Sequence, residues 1–498
     1  MDNIACLPLL VTLFTGILTL LLINRESTQR YVHYLGAVVY LLSAIYLAWQ
    51  IQQSGLIVLR FGAHPSGFAI SFILDYFSCL MLVISAVSVL AVALYSTADL
   101  TIDRNSTFYP AFWFMVSGVT GVFCTGDLFN LYVWFEVMVI ASFVMMTISC
   151  EKNRLQGTLY YIALNLLATL IMLLAITFLY GLSGTLDMAY LAQWIRSSIS
   201  FEAFLPLFAM LMVAFAIKSA LFPFCFWLPD SYHLTSVSTS SIFSGLLTKV
   251  GVYALIRTGT LFFAPDSPLM HILLVVSGFT MLSGVFGAMS DFHIRRILSF
   301  HIISQVGYMT LALAMGTTLA VTAGIFYIIH HILVKTNLFL ISGALSRYSG
   351  HNDLRQMGDF FRQKPLLMIL FLIPALSLSG VPPFSGFWAK YLLLQAAFAS
   401  GFWLSAIIII IVGFFTLYSM IKIWRYAFWQ PTNEPMISII CREKILLYTP
   451  IIFLSLLTLM IGLFPETLYL ASQQAAKALL QPECYLQTVL DGEIKCQP

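Results

Sequence analysis

The chain has 498 residues, of which 60% are hydrophobic and only 9% charged, with a net charge of +3. Soluble domains carry roughly 25% charged residues, so water is excluded as the solvent for most of this surface. No phosphate loop, dinucleotide glycine pattern or basic nucleic-acid patch is present, and the eight cysteines show neither C-x-x-C nor His/Cys metal spacing.

In chain order, apolar spans are expected near 5–23, 32–50, 70–95, 108–125, 128–149, 158–180, 204–228, 238–256, 268–288, 299–316, 321–345, 366–393, 402–421 and 446–465. About fourteen helices of this length each suffice to cross roughly 30 Å of hydrocarbon. The expected fold class is therefore an all-α polytopic membrane protein. The first apolar run lacks a basic n-region and a small-residue cleavage site before Arg25, so it reads as a retained span and not a signal peptide. Cys79, Cys124, Cys150 and Cys225 lie in or beside apolar runs, where a buried thiol suffices as explanation. Cys484 and Cys496 share the polar tail, where a bridge is allowed, and a surface helix is expected over 468–480.

Charge distribution orients the chain. Of the 24 Lys and Arg residues, Lys218, Lys249, Lys335 and Lys390 fall inside spans. Connections after even-numbered spans, with the tail, hold five (Arg60, Arg196, Arg257, Lys477 and Lys495), leaving 15 after odd-numbered spans. Positive-inside bias then places the odd connections in the cytoplasm and both termini outside.

An ionised group inside the bilayer costs at least ~2.5 kcal/mol and must face water or another polar group. Lys218 and Lys335 sit near the middle of their spans, whereas Lys249 is close enough to an expected helix end to snorkel. Glu136 lies deeper in its span than Asp127 and Asn130. A carboxylate and a lysine under opposing pressures from burial and from each other can hold or release a proton for a small change in hydration. Glu136 and Lys218 are such a candidate pair. His331 and Lys335, four residues apart, share a helix face with His330 one step before, and imidazole can pass protons near neutral pH. His301, Ser304 and Gln305 form a polar face suited to water, and His233 follows the Trp227–Asp230 segment, where the helix is interrupted. The histidines lack the acid and cysteine spacing of a metal site.

Two spans look broken. One carries Pro223 and Pro229, the other Pro374, Gly380, Pro382, Pro383 and Gly386. Irregular backbone at membrane depth is tolerable only against protein or water, and paired interruptions mark an ion path at a repeat interface. Two inverted five-helix repeats are expected, residues 108–262 (helices 4–8) and 263–427 (helices 9–13), after three N-terminal helices in 1–107 and before helix 14 and a polar tail in 428–498. The repeat is imperfect in sequence, because Lys218 precedes its break and Lys390 follows its own.

TGDLFNLYVWFEVMVIASFVMM (125–146), FWLPDSYH (226–233), SGLLTKVGVYALIR (244–257), RRILSFHIISQVGYM (295–309), HHILVKTNLFLISG (330–343) and VPPFSGFWAKYLLL (381–394) together resemble one family. It is the antiporter-like membrane subunits shared by multisubunit Na+/H+ antiporters and respiratory complex I, and the wording is most similar to the D-type subunits of the Mrp branch. The resemblance covers nearly the whole chain and includes FPET at 464–467. It implies discontinuous helices 7 and 12 and a midplane chain of charge and water. By position it implies Glu136 as the fifth-helix acid, Lys218 as the seventh-helix lysine and Lys249 as the linking lysine. His331 and Lys335 would join the halves, and Lys390 would be the terminal charge. It also implies a hetero-oligomer with a larger homologous subunit and several small membrane proteins, exchanging H+ for Na+ or a similar cation across a prokaryotic cell membrane. No cofactor is implied, and no Na+ cage is evident. Where the family commonly has an A-P-T/P-type run, this chain has LTSVSTSS (234–241), so its seventh-helix break is expected nearer Pro229 or milder. A proton-pumping subunit of a redox complex is the alternative, because it would use the same charges.

Overall fold

The fold is seen in a computed structural model, which describes residues 5–61, 70–99, 107–148, 152–197, 201–263, 267–432 and 435–491. Helices α1 (Leu7–Leu21) and α2 (Glu26–Ser54) lead to a hairpin of β1 (Ile57–Phe61) and β2 (Ile70–Leu74), paired antiparallel with Ile57 opposite Leu74. The expectation of a span starting at 70 is thus corrected. Residues 70–74 are strand, and α3 (Tyr76–Ser96) starts only after Asp75, whose carboxylate accepts the Ser78 N–H as an N-cap.

Then come α4 (Phe108–Cys124), α5 (Leu128–Thr147), α6 (Lys152–Ser183), the short α7 (Met188–Ser197) and α8 (Phe201–Ser219). After a break come α9 (Trp227–Tyr232) and α10 (Val237–Ile242), then a π-helical turn (Phe243–Leu247) leading into α11 (Thr248–Phe262). The second half holds α12 (Pro268–Ser290), α13 (Ile294–Met315), α14 (Thr318–Ser349), the single turn α15 (Phe360–Gln363) and α16 (Pro365–Ser379). A second break precedes α17 (Ser385–Ala399) and α18 (Trp403–Trp424). The chain ends in α19 (Cys441–Leu463), α20 (Glu466–Leu480) and α21 (Glu483–Asp491). Among the described residues, ten helices are long and apolar enough to cross a membrane, and four shorter apolar ones fall on the remaining expected spans.

At 32 residues α14 is about 48 Å long. It is buried continuously from Ala320 to Leu345, with α3, α10, α13, α16, α17, α19 and α20 packed around it. The outer helices expose Phe14, Leu42, Leu170, Phe279 and Phe414, as a lipid-facing wall requires.

Both breaks are built alike. SALFPF (219–224) follows α8 and SGVPPF (379–384) follows α16. The residue after each helix end has positive φ, +58° at Ala220 and +89° at Gly380, and both Phe222–Pro223 and Pro382–Pro383 are cis. A left-handed residue ends a helix by reversing its twist, and the following prolines lack an N–H with which to restart it. The first break therefore lies at 220–226, not nearer Pro229, which is inside α9. The proline-poor 234–241 segment is capped instead. Ser236 accepts the Thr239 N–H, and Asp99 accepts both the N–H and the hydroxyl of Ser238.

Two further expectations are refined. The tail helix keeps Glu466, Gln474 and Lys477 exposed on one face but is packed on the other. α20 buries Ser472, Ala475, Ala476 and Leu479 and packs on α3, α11 and α14, since small residues permit close approach. Arg257 is not in a connection but buried within α11. Cys484 is disulfide-bonded; Cys496, like Cys150, lies outside the described residues.

Candidate functional site

Glu136 lies midway along α5, half-buried, and its Oε1 is shielded from solvent without a protein partner. Lys218 ends α8 just before the first break. Its ammonium donates to Thr169 Oγ1 of α6 at 3.1 Å and lies 4.8 Å from the centre of the Phe135 ring. Glu136 is the charged group in electrostatic reach of Lys218, yet the two form no direct ion pair among the described residues. They are neighbours coupled through space, not a closed bridge.

Lys249 is fully buried, because α10, the π turn and α11 form one continuous helix reaching Phe262. The snorkelling reading therefore fails. The π turn shifts backbone pairing by one residue and leaves a carbonyl available. Lys249 Nζ takes one of these, the carbonyl of Ser244. Two residues on, Gly251 abuts the end of α8, and a Cβ there would fall 2.4 Å from Ser219 Oγ and 3.2 Å from the Lys218 carbonyl carbon. The two lysine-bearing helices meet backbone to backbone.

On α14, His330, His331 and Lys335 are all buried. Lys335 Nζ donates to the Leu298 carbonyl of α13 at 3.1 Å. His331 is in electrostatic reach of Lys249, Lys335, His330 and His301, and neither of its ring nitrogens has a protein partner. His330 Nδ1 pairs with Ser385 Oγ at 2.8 Å, and Ser385 with Ser377 at 3.0 Å, which ties α14 to both lips of the second break. His301 pairs through Nε2 with Ser419 Oγ of α18 at 2.9 Å.

Lys390 follows its break in sequence but reaches back across it. Its ammonium donates to the carbonyl of Ser379, the last residue of α16, at 2.9 Å, and stands 5.3 Å from the Tyr308 ring. The sequence asymmetry between Lys218 and Lys390 thus narrows in space, since Lys390 reaches back to the end of the helix before its break, as Lys218 sits at the end of the helix before its own. Lys390 also lines an apolar groove of about 330 Å3 between α17 and α18.

From α5 to α17 the order is Glu136, Lys218, Lys249, His331, Lys335 and Lys390. Beside these groups, Ser219 Oγ, Thr248 Oγ1, Thr336 Oγ1, His330 Nε2 and Gln305 Nε2 are buried without a protein partner. Buried polar atoms are satisfied almost without exception, so these are positions where a water could be held. Among the described residues no three His, Cys, Asp or Glu side chains converge on a point as metal ligands do.

The sequence reading missed a bidentate pair from Arg257 to Asp75 at 2.6 and 2.8 Å, joining α11 to the start of α3. It also missed Lys422, whose ammonium caps the carbonyls of Met289 and Asp291 at the end of α12. Asp75, three residues before Ser78 at the head of an apolar run, carried a readable N-cap signal. Lys422 carried none.

Residues 125–416 match the model of the NADH:quinone oxidoreductase/Mrp antiporter membrane family. Over 98% of its length the chain is 38% identical to the whole of the D-type Na+/H+ antiporter protein of Alkalihalophilus pseudofirmus. It is 33% identical to all of the corresponding protein of Bacillus subtilis, again over 98% of its length. The solved Mrp complex of Dietzia sp. contains a chain that it covers completely, with 98% of its own length, a TM-score of 0.91 and 31% identity. With family model, full-length relatives and solved structure in agreement, the chain belongs to the NADH:quinone oxidoreductase/Mrp antiporter family of membrane proteins.

Proposed function

We propose that this chain is the proton-translocating membrane subunit of a multisubunit Na+/H+ antiporter. Protons would pass along Glu136, Lys218, Lys249, His331, Lys335 and Lys390, coupled to cation efflux. What supports this reading is that Lys218, Lys249, His331, Lys335 and Lys390 are buried inside the bundle, with Glu136 in electrostatic reach of Lys218 and His331 in reach of Lys249 and Lys335, and that buried polar atoms beside them have no protein partner. The lysines rest on a hydroxyl or on backbone carbonyls and not on carboxylates. An ammonium held this way can give up its proton without stranding a buried anion.

Full-length identity to chains named as antiporter subunits favours exchange over redox-driven pumping. The two repeats, 108–262 and 263–427, would hold the two breaks against each other. The chain would work beside other membrane subunits, including a larger homologue, in a prokaryotic cell membrane with both termini outside.

The test is exchange by the assembled complex in vesicles of an antiporter-deficient strain. Dissipation of the proton gradient on adding Na+, Li+ or K+ should fall at least tenfold in E136A and K218A. Wild-type exchange by both variants in correctly assembled complexes refutes the assignment. A protein encoded beside peripheral redox modules, and inert without them, would instead belong to the pumping alternative.

A further inference from the structure

The Asp75–Arg257 pair has no place in the proposed midplane row, yet a short line of hydroxyls adjoins it on the α11 face that leads to Lys249. Lys249, Tyr253 and Arg257 are spaced by four along α11 and so share one face, each step rising about 6 Å. Arg257 Nη2 donates to Tyr253 OH at 3.3 Å and to Ser78 Oγ at 3.2 Å, while Tyr253 OH and Ser78 Oγ are 3.0 Å apart. Tyr253 OH also donates to the Phe123 carbonyl at 3.1 Å, joining α4 to the cluster. Below Ser78, α3 carries Ser85 and Ser88, and Ser88 Oγ is buried without a protein partner. Above the pair, Tyr485 of α21 places its ring 5.8 Å from the guanidinium. The pair thus sits where the hydroxyl line meets the end of the bundle that carries α20 and α21.

A buried ion pair is weak evidence for a stabilising role, since apolar replacements often serve as well or better. A fixed guanidinium does something an apolar pair cannot, because it repels protons in a narrow polar passage. We propose that Asp75, Arg257 and Tyr253 form a gated outer mouth of the proton route, opening toward the α20–α21 end. While paired, Arg257 bars the passage. When the pair opens, Asp75 takes a proton from water at that end. The Tyr253 hydroxyl accepts a proton from Asp75 as it releases its own to water on the α11 face it shares with Lys249, whose amine takes that proton up. Asp75 is again a carboxylate and pairs once more with Arg257. This rests on the midplane route proposed above.

The experiment uses the whole complex in proteoliposomes with an imposed pH gradient and no transported cation. Arg257→Gln removes the bar and leaves Asp75 able to take up a proton. The gradient should then collapse several-fold faster than in wild type, and adding Asp75→Asn or Tyr253→Phe should slow that leak toward the wild-type rate. An assembled R257Q complex that holds its gradient as wild type does overturns the proposal. Should R257Q fail to assemble, Tyr253→Phe alone decides. Exchange slowed several-fold supports the mouth, and unchanged exchange overturns it. E136A and K218A run in parallel separate the two ideas. Their normal exchange would sink the whole route, whereas a tight R257Q complex beside an inactive E136A and K218A would sink only the mouth.

Discussion

Gly386→Ala tests whether the second break is a precision joint. The added Cβ would sit 1.8 Å from the Ser377 carbonyl oxygen and 2.9 Å from His330 Cε1. Real Cβ contacts essentially never fall below 3.0 Å, so α16 and α17 must part by at least about 1.2 Å, the difference between 3.0 and 1.8 Å. The obstacle is backbone, so no rotamer change relieves it. Two hydrogen bonds cross this seam, Gly386 N–H to Ser377 Oγ at 3.1 Å and Ser377 to Ser385 at 3.0 Å, and a third ties Ser385 to His330 of α14 at 2.8 Å. Overpacking typically costs about 1–3 kcal/mol, and each strained hydrogen bond adds about 1 kcal/mol. The expected destabilisation is roughly 2–5 kcal/mol. Melting of the detergent-purified complex should fall by several degrees, with exchange lost because His330 and Lys390 share the displaced seam. Gly181→Ala is the control. Nothing lies within 4 Å of its Cβ, and a helical alanine gains about 1 kcal/mol over glycine. A G386A complex that melts and exchanges like wild type would refute the joint.

Thr169→Val removes the hydroxyl that accepts from Lys218 and leaves a buried ammonium short of a partner, at a cost of about 1.5–3 kcal/mol. Exchange should drop about tenfold or more, with T169S close to wild type; equal rates in T169V and wild type would count against the contact. If Glu136 and Lys218 act as one unit, E136A and K218A should be non-additive by more than about 0.5 kcal/mol in exchange rate, and a strictly additive double variant separates them. Asp127, just beyond the α5 span, has its carboxyl pushed up to about 6, by burial first and by neighbouring Asp187 in part, against backbone hydrogen bonds that lower it. A raised carboxyl binds its proton more tightly in the folded state, so this contribution is present at low pH and is lost as pH rises through about 6. Asp127→Asn should therefore raise the melting temperature above pH 6, with the gain vanishing toward pH 4. A gain constant across that range would contradict this sign.

The spans, the two breaks and the buried ionisable residues were legible because each is a local departure from its background. A lysine such as Lys218 amid Phe and Met, or two prolines amid Leu, cannot be averaged away. What stayed hidden depended on contacts between elements. Ile70–Leu74 is parted from α3 by Asp75 alone, and periodicity cannot divide a short strand from the helix it precedes. Arg257 closes an apolar segment, where a cation ordinarily marks the interface, and only its partner Asp75, 182 residues away in sequence, keeps it buried. The repeated SALFPF and SGVPPF words were present in the sequence, but their equivalence becomes clear only when both are seen to end helices in left-handed residues.

The breaks also account for where the charges are tolerated. A helix C-terminus leaves carbonyls unpaired and carries about half a negative charge. Lys390 caps such an end at Ser379, Lys422 caps another on α12, and Lys218 stands in the last turn of α8. Lys249 reaches the same kind of group by a different device, the carbonyl available at a π turn. Dipoles of this sort solvate an ammonium without neutralising it, and they stay in place when the proton leaves. A carboxylate partner would hold the proton more firmly and would itself need a counter-charge afterwards. The helix ends and the π turn therefore let this fold keep Lys390 and Lys249 as cations on backbone carbonyls in place of ion pairs, which is what the proposed proton route would need.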